Sequence, residues 1–326
     1  MSFETTMTSD VVGLTKVAPV SRRGFMSATA AVAAGYTLAA GPVRADIITT
    51  DTSGLQAGDA RIKVGSEEMP AYFARPAGNT KAPVIIVAME IFGLHEYIRD
   101  VTRRLAKLGA FAIAPDYYFR KGTDLTKVTD IKDVTRRLAK LGAFAIAPDY
   151  YFRKGVDLTK VTDNLLAVVN VKPDAELLSD LDATVAWAGS QGGETAKLGI
   201  IGFCRGGRTV WEYAAHGGTL KAGVAFYGTV VDPANPLWPK SPLQLAPEMR
   251  APVLGLYGGA DTGIPVAQVE QLKAALEQNK KTAEFKIYPE APHGFHADYR
   301  GSYRKDAAED AWKQAEAWFK KYGVLS

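Results

Sequence analysis

The chain contains one cysteine, and it lies in the hexapeptide Gly202-Phe203-Cys204-Arg205-Gly206-Gly207, directly after the apolar run 198–201. This pattern is typical of a nucleophile elbow, in which a strand ends, the chain turns sharply and a helix begins. Gly202 and Gly206 supply the small neighbours that such a turn requires. The helix that follows would direct its positive end at the sulfur and activate it. The alternative is a buried structural cysteine, because free cysteines are often core residues; the surrounding strand, glycines and helix favour a nucleophile.

A cysteine nucleophile needs a base, and a further group must orient that base. His293 lies just after the last predicted strand and is favoured over its competitor, His296. Asp261 follows the preceding predicted strand, although an aspartate there could also be a turn or helix-capping residue. The chain order of nucleophile, acid and histidine matches the order in α/β-hydrolases. The sequence therefore predicts a triad of Cys204, Asp261 and His293.

An acyl-transfer site also needs donors for the oxyanion that forms during attack. The backbone N–H of Arg205, directly after the nucleophile, is one candidate. The N–H of Ile91 is the second, because Ile91 follows an early predicted strand. Glu90 lies beside it, at the end of the same strand. This carboxylate could pair with Arg205 or could tune Cys204.

These residues are spaced between apolar segments that alternate in type. Predicted strands lie at Val84–Met89, Phe111–Ala114, Leu198–Phe203, Gly223–Tyr227, Val253–Tyr257 and Phe285–Tyr288. Predicted helices lie at Glu96–Leu108, Ala175–Ala188, Gly207–Ala215, Ala267–Gln278 and Asp306–Lys321. Strands that are apolar on both faces and alternate with helices indicate an α/β fold with a doubly wound, mostly parallel sheet flanked by helices. Residues 72–76 are predicted as an antiparallel edge strand.

Residues 100–130 and 133–163 are the same sequence except for Thr123 in the first copy and Val156 in the second. Each copy holds part of a helix and one strand, and a single sheet position cannot hold both. Chain continuity favours the first copy for the helix and the second for the strand. We expect one copy to be native-like and the other to form an extruded helix–strand insertion near the carboxyl-terminal rim of the sheet.

The N-terminus has the pattern of an export signal. Ser21-Arg22-Arg23-Gly24-Phe25-Met26 is a twin-arginine sequence, followed by a mildly apolar stretch and the small-x-small sequence Val43-Arg44-Ala45. The apolar stretch is too short and too rich in alanine and glycine for a membrane anchor. We therefore predict a signal peptide at 1–45, delivery by the twin-arginine translocation machinery, and a periplasmic or secreted protein without stable membrane association.

The predicted mature chain, residues 46–326, is long enough for one large α/β domain. The leader contains four basic and two acidic residues, so its removal lowers the formal net charge from +4 to +2. A nearly neutral chain without a basic run makes nucleic acid an unfavoured partner. One cysteine permits no intramolecular disulfide.

Together, the segment 89–93 (Met-Glu-Ile-Phe-Gly), the hexapeptide around Cys204, Gly259-Ala260-Asp261 and the segment 292–295 (Pro-His-Gly-Phe) resemble the dienelactone hydrolase family of α/β-hydrolases. The resemblance runs from about residue 62 to about residue 319, interrupted by the duplication. It implies cysteine-dependent hydrolysis of a small-molecule lactone or ester through an acyl-enzyme, without a metal or organic cofactor. It also implies that Glu90 is mobile and takes the thiol proton when substrate binds.

The sequence departs from that family where the substrate carboxylate is held. Of the family's two arginine positions, the one four residues after the histidine is Ala297 here, and the segment 155–190 contains no arginine for the other. Two pairs of arginines could substitute: Arg300 with Arg304, or Arg120 with Arg153. The competing hypothesis is a non-catalytic binding or scaffold protein whose site the duplication disables.

Overall fold

The computed structural model of the chain describes residues 47–78, 81–91, 93–117, 119, 172–233 and 235–326. Within them, eight strands form one sheet: β1 Leu55–Val64, β2 Glu67–Pro76, β3 Pro83–Ala88, β4 Phe111–Pro115, β5 Glu194–Phe203, β6 Leu220–Phe226, β7 Val253–Gly258 and β8 Ala283–Tyr288. The helices are α1 Glu96–Lys107, α2 Asp174–Ser190, α3 Arg205–His216, α4 Pro242–Leu245, α5 Val266–Gln278 and α6 Lys305–Lys321. None of these helices is long and apolar enough to cross a bilayer.

The strands follow the order β1-β2-β4-β3-β5-β6-β7-β8 across the sheet. Strands β3 to β8 pair in parallel, whereas β2 pairs antiparallel with β1 on one side and with β4 on the other. All residues of β4 and β7, and the last six of β5, are buried, as expected for parallel strands covered on both faces. The prediction of a doubly wound, mostly parallel α/β sheet is confirmed.

The prediction that residues 72–76 form an edge strand is wrong in its position. Those residues do belong to an antiparallel strand, β2, but β1 pairs along its whole length and takes the edge. Strand β1 was not predicted from the sequence, because its residues are mostly exposed or half-buried and include few large apolar side chains. Gly65, in the left-handed region at φ 61°, makes the turn between the two strands.

The first copy of the duplicated segment supplies both α1 and β4, so the assignment of the strand to the second copy is wrong. Only residues 108–110 separate the helix from the strand, and Gly109 turns the chain there with φ 96°. A connection this short holds one copy's helix and strand together as a unit. Residues 133–163, and with them the predicted extruded insertion, lie outside the described residues.

Helix α3 is fastened to its neighbours by Arg208, whose side chain is fully buried. Its guanidinium contacts Asp232 on the segment after β6 (Nε to Oδ2, 2.5 Å), Asp174 at the start of α2 (Nη1 to Oδ1, 3.1 Å) and Glu212 one turn along α3. A buried ion cluster is tolerated only when every charge has partners. Arg208 therefore ties α2 and the segment after β6 to the helix that follows Cys204.

We expect Arg208→Met to lower the free energy of unfolding by about 3–4 kcal/mol, because it leaves buried carboxylates without their cation. Urea unfolding followed by circular dichroism measures the change. Lys240→Met is the matched control, since Lys240 pairs with Glu248 on the surface and such pairs contribute about 0–1 kcal/mol. Equal losses in the two variants would contradict this account of the cluster.

Candidate active site

The cysteine lies where the strand order of the sheet reverses. Chain connections run from β3 outward to β4 on one side and from β5 outward to β6 on the other, so the ends of β3 and β5 lie side by side, with Ala88 paired to Gly202. In open α/β sheets, ligands bind beyond the carboxyl ends of the strands at such a switch point. Cys204 follows β5 and Glu90 follows β3, so the topology brings both to this position.

Cys204 has the backbone geometry of a nucleophile elbow. Its φ of 56° and ψ of −117° are outside the regions that non-glycine residues normally occupy, and such strain costs about 1–3 kcal/mol. Its N–H donates to the carbonyl of Phe226 at 3.0 Å, and its own carbonyl accepts from Gly207 N–H at 2.9 Å, in the first turn of α3. These bonds hold the thiol at the junction of strand and helix. The sulfur-bearing residue is almost fully buried.

The glycines around Cys204 are required by close backbone approach. A Cβ on Gly202 would lie 2.1 Å from the carbonyl oxygen of Gly206, and a Cβ on Gly206 would lie 2.1 Å from that of Ala88. Real Cβ atoms do not approach backbone this closely. The start of α3 therefore packs directly against the end of β3, which places Arg205 beside the segment that carries Ile91.

The structure brings the other two candidate triad residues together. The ring Nδ1 of His293, after β8, lies 2.7 Å from Oδ2 of Asp261, after β7. The second oxygen of Asp261 accepts from the backbone N–H groups of Gly263 (2.9 Å) and Ile264 (3.1 Å). Asp261 is thus a turn residue and the partner of His293 at once, and the turn fixes the direction of its carboxylate.

His293 interacts electrostatically with Cys204. Burial on its own lowers the pKa of His293, but the charge of the Cys204 sulfur, hydrogen bonds with Asp261 and Cys204, and the charge of Asp261 raise it to about 10. The imidazole therefore favours its protonated form at neutral pH. A cysteine paired with an imidazolium is the reactive form of the nucleophile.

The raised pKa of His293 predicts a pH dependence of stability. Because the folded pKa is above the unfolded value of 6.5, the contribution of His293 is fully present below about pH 6.5 and is lost as the pH rises through about 10. The difference in free energy of unfolding between the wild type and His293→Gln should therefore be larger near pH 6 than near pH 11. Denaturant unfolding at both pH values measures it. In an Asp261→Asn background this pH dependence should shrink; an unchanged difference would contradict the assignment.

His296, the alternative to His293, occupies a different environment. Its Nδ1 lies 2.7 Å from the hydroxyl of Tyr97, and its ring packs against Phe203, Phe226 and Trp312. Burial first, and then the charge of Arg104, lower the pKa of His296 to about 3. A neutral, enclosed imidazole held by a phenol is suited to packing beneath the site. Its hydrogen-bond partner is Tyr97, whereas Asp261 is bonded to His293.

Glu90 does not pair with Arg205. Its fully buried carboxylate lies 3.5 Å from Nη2 of Arg300 and 3.3 Å from Nε2 of His95, and it accepts a 2.7 Å hydrogen bond from the hydroxyl of Tyr299. Burial on its own raises the pKa of Glu90, but the charge of Arg300 and the bonds from His95 and Tyr299 lower it to about 2. Of the two alternatives for Glu90, the pair with Arg205 is therefore not formed, because Arg300 of the loop after β8 is the cation that contacts this carboxylate.

The two candidate oxyanion donors lie on neighbouring segments. Arg205 opens α3, and Ile91 lies on the buried segment after β3, against which α3 packs through Gly206. The position of that segment is further set by Tyr117, whose hydroxyl donates to the carbonyl of Met89 at 2.7 Å. The start of α3, which includes Arg205, therefore packs against the end of β3, two to three residues before Ile91.

The arginines considered for a substrate carboxylate have defined partners where the structure describes them. Arg300 is engaged by Glu90, and Arg304 donates to the carbonyls of Gly301 and Tyr303. Arg120 and Arg153 lie outside the described residues. The Arg205 guanidinium stacks over the ring of Trp238 at 4.1 Å, and its nearest carboxylate, that of Asp174, is 3.9 Å away.

Sequence reasoning missed two partners of Glu90, namely His95 and Tyr299, and treated Arg300 only as a possible substrate contact. A signal for Tyr299 and Arg300 was present in the tripeptide Asp298-Tyr299-Arg300, which follows His293 closely enough to share its loop. His95 comes five residues after Glu90, at the N-cap of α1. A buried carboxylate requires such partners, but their identity is set by contacts that are distant in sequence.

Known proteins resemble this chain over nearly its whole length. The dienelactone hydrolase family model matches residues 69–129 and 123–323. A relative from Methylorubrum extorquens named "Putative carboxymethylenebutenolidase" is 44% identical over 98% of this chain and 99% of its own. A relative of the same name from Salmonella typhimurium is 42% identical over 89% of this chain and 96% of its own.

A solved structure agrees with these relatives. The crystal structure of a "Putative Dienelactone Hydrolase" from Klebsiella pneumoniae superimposes with a TM-score of 0.69 at 41% identity, covering 82% of this chain and 99% of that one. The expected α/β-hydrolase fold is thereby confirmed. The family match is divided into two segments that overlap at residues 123–129, near the end of the first copy, and the whole second copy lies in the second segment.

Proposed function

Because the chain belongs to the dienelactone hydrolase family and is a hydrolase of ester or lactone bonds, we propose that it acts through an acyl-enzyme on Cys204. The observation that carries this proposal is the meeting of three parts at one point. A strained cysteine lies at a helix N-terminus, and a histidine whose pKa it raises is held at 2.7 Å by a buried aspartate. These are the roles of nucleophile, base and orienting group.

In the proposed reaction, the Cys204 thiolate attacks the carbonyl carbon of the substrate and forms a tetrahedral intermediate. The backbone N–H groups of Ile91 and Arg205 stabilise its oxyanion. The carbon–oxygen bond of the ester then breaks, and the His293 imidazolium donates its proton to the departing alkoxide. Neutral His293 next takes a proton from water, which attacks the thioester and releases the carboxylate product and the thiolate.

Glu90 enters this scheme before the attack: the family resemblance implies that it takes the proton of the Cys204 thiol when substrate binds, and it returns that proton to the sulfur once deacylation has released the thiolate. Its pKa of about 2 means that it is ionised at neutral pH, but its pairing with Arg300 weakens it as a base. Glu90 can take the proton only when substrate separates it from Arg300. The proposed substrate is a lactone or a small carboxylic ester.

The proposed location is the periplasm or the exterior, after export of the folded chain by the twin-arginine route. The twin-arginine sequence and the cleavage pattern ending at Ala45 support it. A double Arg22→Lys and Arg23→Lys variant should remain in the cytoplasm with an uncleaved leader. Cell fractionation with N-terminal sequencing of the wild-type product tests this, and an unprocessed cytoplasmic wild type would refute it.

The acyl-enzyme is tested by mass spectrometry. Purified protein is mixed with p-nitrophenyl acetate, quenched in acid and digested, and the acetyl group is sought on the peptide that contains Cys204, the only cysteine in the chain. Acylation there that decays on further incubation supports the proposal. Hydrolysis without acylation at Cys204 would reject the cysteine mechanism. If both hydrolysis and acylation were absent, a non-catalytic binding protein would be favoured.

A further inference from the structure

Residues 48–53, here named the N-terminal strap, are bound to charged side chains of helix α1 and of the loop after β8. The Thr50 N–H donates to Oδ1 of Asp100 at 2.5 Å, and the Thr50 carbonyl accepts from Nε of Arg103 at 2.8 Å. At the far end of the strap, Lys107 donates to the carbonyl of Ser53 at 2.7 Å. The strap precedes β1 and contributes nothing to the sheet, so these contacts are its attachment to the domain.

One hydrogen bond of the strap is made to the loop after β8, which contains both His293 and Asp298. The Ile48 N–H donates to Oδ2 of Asp298 at 3.0 Å, and Arg104 of α1 donates to the same oxygen at 3.1 Å. Asp298 is only 1% exposed. Nε of Arg104 also contacts Asp100 at 2.5 Å, so Arg104 links the two carboxylates that receive the strap. A buried carboxylate depends on each such partner, because its desolvation must be offset.

Asp298 lies in the chain between the two parts of the candidate active site. His293 precedes it, and Tyr299 and Arg300, which hold Glu90, follow it directly. Tight turns connect the loop, with Ala297 N–H donating to Gly294 and Arg300 N–H donating to Ala297, both at 3.0 Å. A shift of Asp298 is therefore transmitted to the Tyr299–Arg300 pair, and through it to Glu90.

From these contacts we infer that Asp298 is a positioning residue for catalysis and that the N-terminal strap holds it in place. This inference rests on the proposed function, because it assigns the residues that set the geometry of that same site. The residues just downstream of the predicted leader thereby become part of the active-site support. A purely structural role would affect only stability, whereas a positioning role affects the catalytic rate of the folded enzyme.

The test removes one hydrogen-bond donor and leaves the rest of the strap intact. Ile48→Pro lacks the N–H that binds Asp298, and Ile48→Ala, the matched control, keeps it. Hydrolysis of p-nitrophenyl acetate is measured well below the melting temperature of each variant. We expect Ile48→Pro to lower kcat about tenfold with KM changed less than about twofold, because small displacements of catalytic groups are costly. Ile48→Ala should match the wild type.

Two variants of Asp298 test the same hydrogen bond without introducing proline, which could alter the backbone locally. Asp298→Asn keeps a side-chain oxygen that can accept the strap N–H, whereas Asp298→Ala keeps none. We expect kcat to decrease in the order wild type, Asp298→Asn, Asp298→Ala. Equal kcat values for Ile48→Pro and Ile48→Ala, or for the wild type and Asp298→Ala in folded protein, would overturn the inference.

Failure of the proposed function is distinguishable from failure of this inference. If the wild type itself does not hydrolyse esters, the proposed function fails, and alkylation of Cys204 by iodoacetamide replaces kcat as the readout. The strap should then still alter the alkylation rate, because Asp298 precedes Tyr299 and Arg300 in the loop, and Arg300 interacts electrostatically with Cys204. Equal alkylation rates for Ile48→Pro and Ile48→Ala would overturn the inference independently of activity.

Discussion

Cys204→Ala should reduce the hydrolysis of p-nitrophenyl acetate and of a dienelactone by about 10⁴-fold in kcat, to the rate that binding and the oxyanion donors alone can support. The reason is that the variant keeps His293, Asp261 and the backbone donors but has no atom that can form the thioester. Steady-state kinetics of the purified mature protein measure the loss.

Two controls separate lost chemistry from lost structure. The side chain of Cys204 is small and buried, so alanine should leave the melting temperature nearly unchanged, and a folded but inactive variant is the expected result. Cys204→Ser keeps an attacking group of similar shape but a much less acidic one, and it should retain only a small fraction of the activity. A Cys204→Ala variant as active as the wild type would exclude the cysteine nucleophile.

Gly206→Ala should destabilise the protein by at least about 5 kcal/mol, which is enough to prevent folding of many domains. The added Cβ would lie 2.1 Å from the carbonyl oxygen of Ala88 and 2.9 Å from that of Met89. Both contacts are with backbone at the end of β3, so no side-chain rotation can relieve them, and α3 would have to move away from the sheet. Soluble yield and urea unfolding measure the effect.

Gly58→Ala is the matched control for this prediction. Gly58 lies in β1, and an added Cβ there would meet no atom within 4 Å. Alanine at this position should change the free energy of unfolding by less than about 1 kcal/mol. If Gly206→Ala were as stable as Gly58→Ala, the close packing of α3 on the end of β3 would be refuted.

Much of the fold was predictable because parallel strands that are buried on both faces have continuous apolar runs in the sequence. The predicted strand Val253–Tyr257 differs from the observed strand only by Gly258, and the predicted helix Ala267–Gln278 lacks only its first residue. Strand β1 was missed because an exposed edge strand needs few apolar residues. The choice between the duplicated copies could not be made from residues that are the same in both.

The candidate site was predictable to a similar degree. Cys204, Asp261 and His293 were chosen because each follows a predicted strand, and parallel strands bring their carboxyl ends to one edge of the sheet. His293 was preferred to His296 on the same ground, and the structure places it on Asp261. The contact between Glu90 and Tyr299 was not predicted, because the two residues are 209 positions apart in the chain.

The sequence by itself therefore determined the features that depend on nearby residues: the strand–turn–helix at Cys204, the alternation of strands and helices, and the positions of Asp261 and His293 directly after two strands. Backbone strain and hydrophobic periodicity act over a few residues, so they can be read along the chain. Only the tertiary structure decided that Glu90 pairs with Arg300 and that the first copy supplies β4. Those outcomes depend on which charges and strands meet in space, and packing of the whole domain sets that.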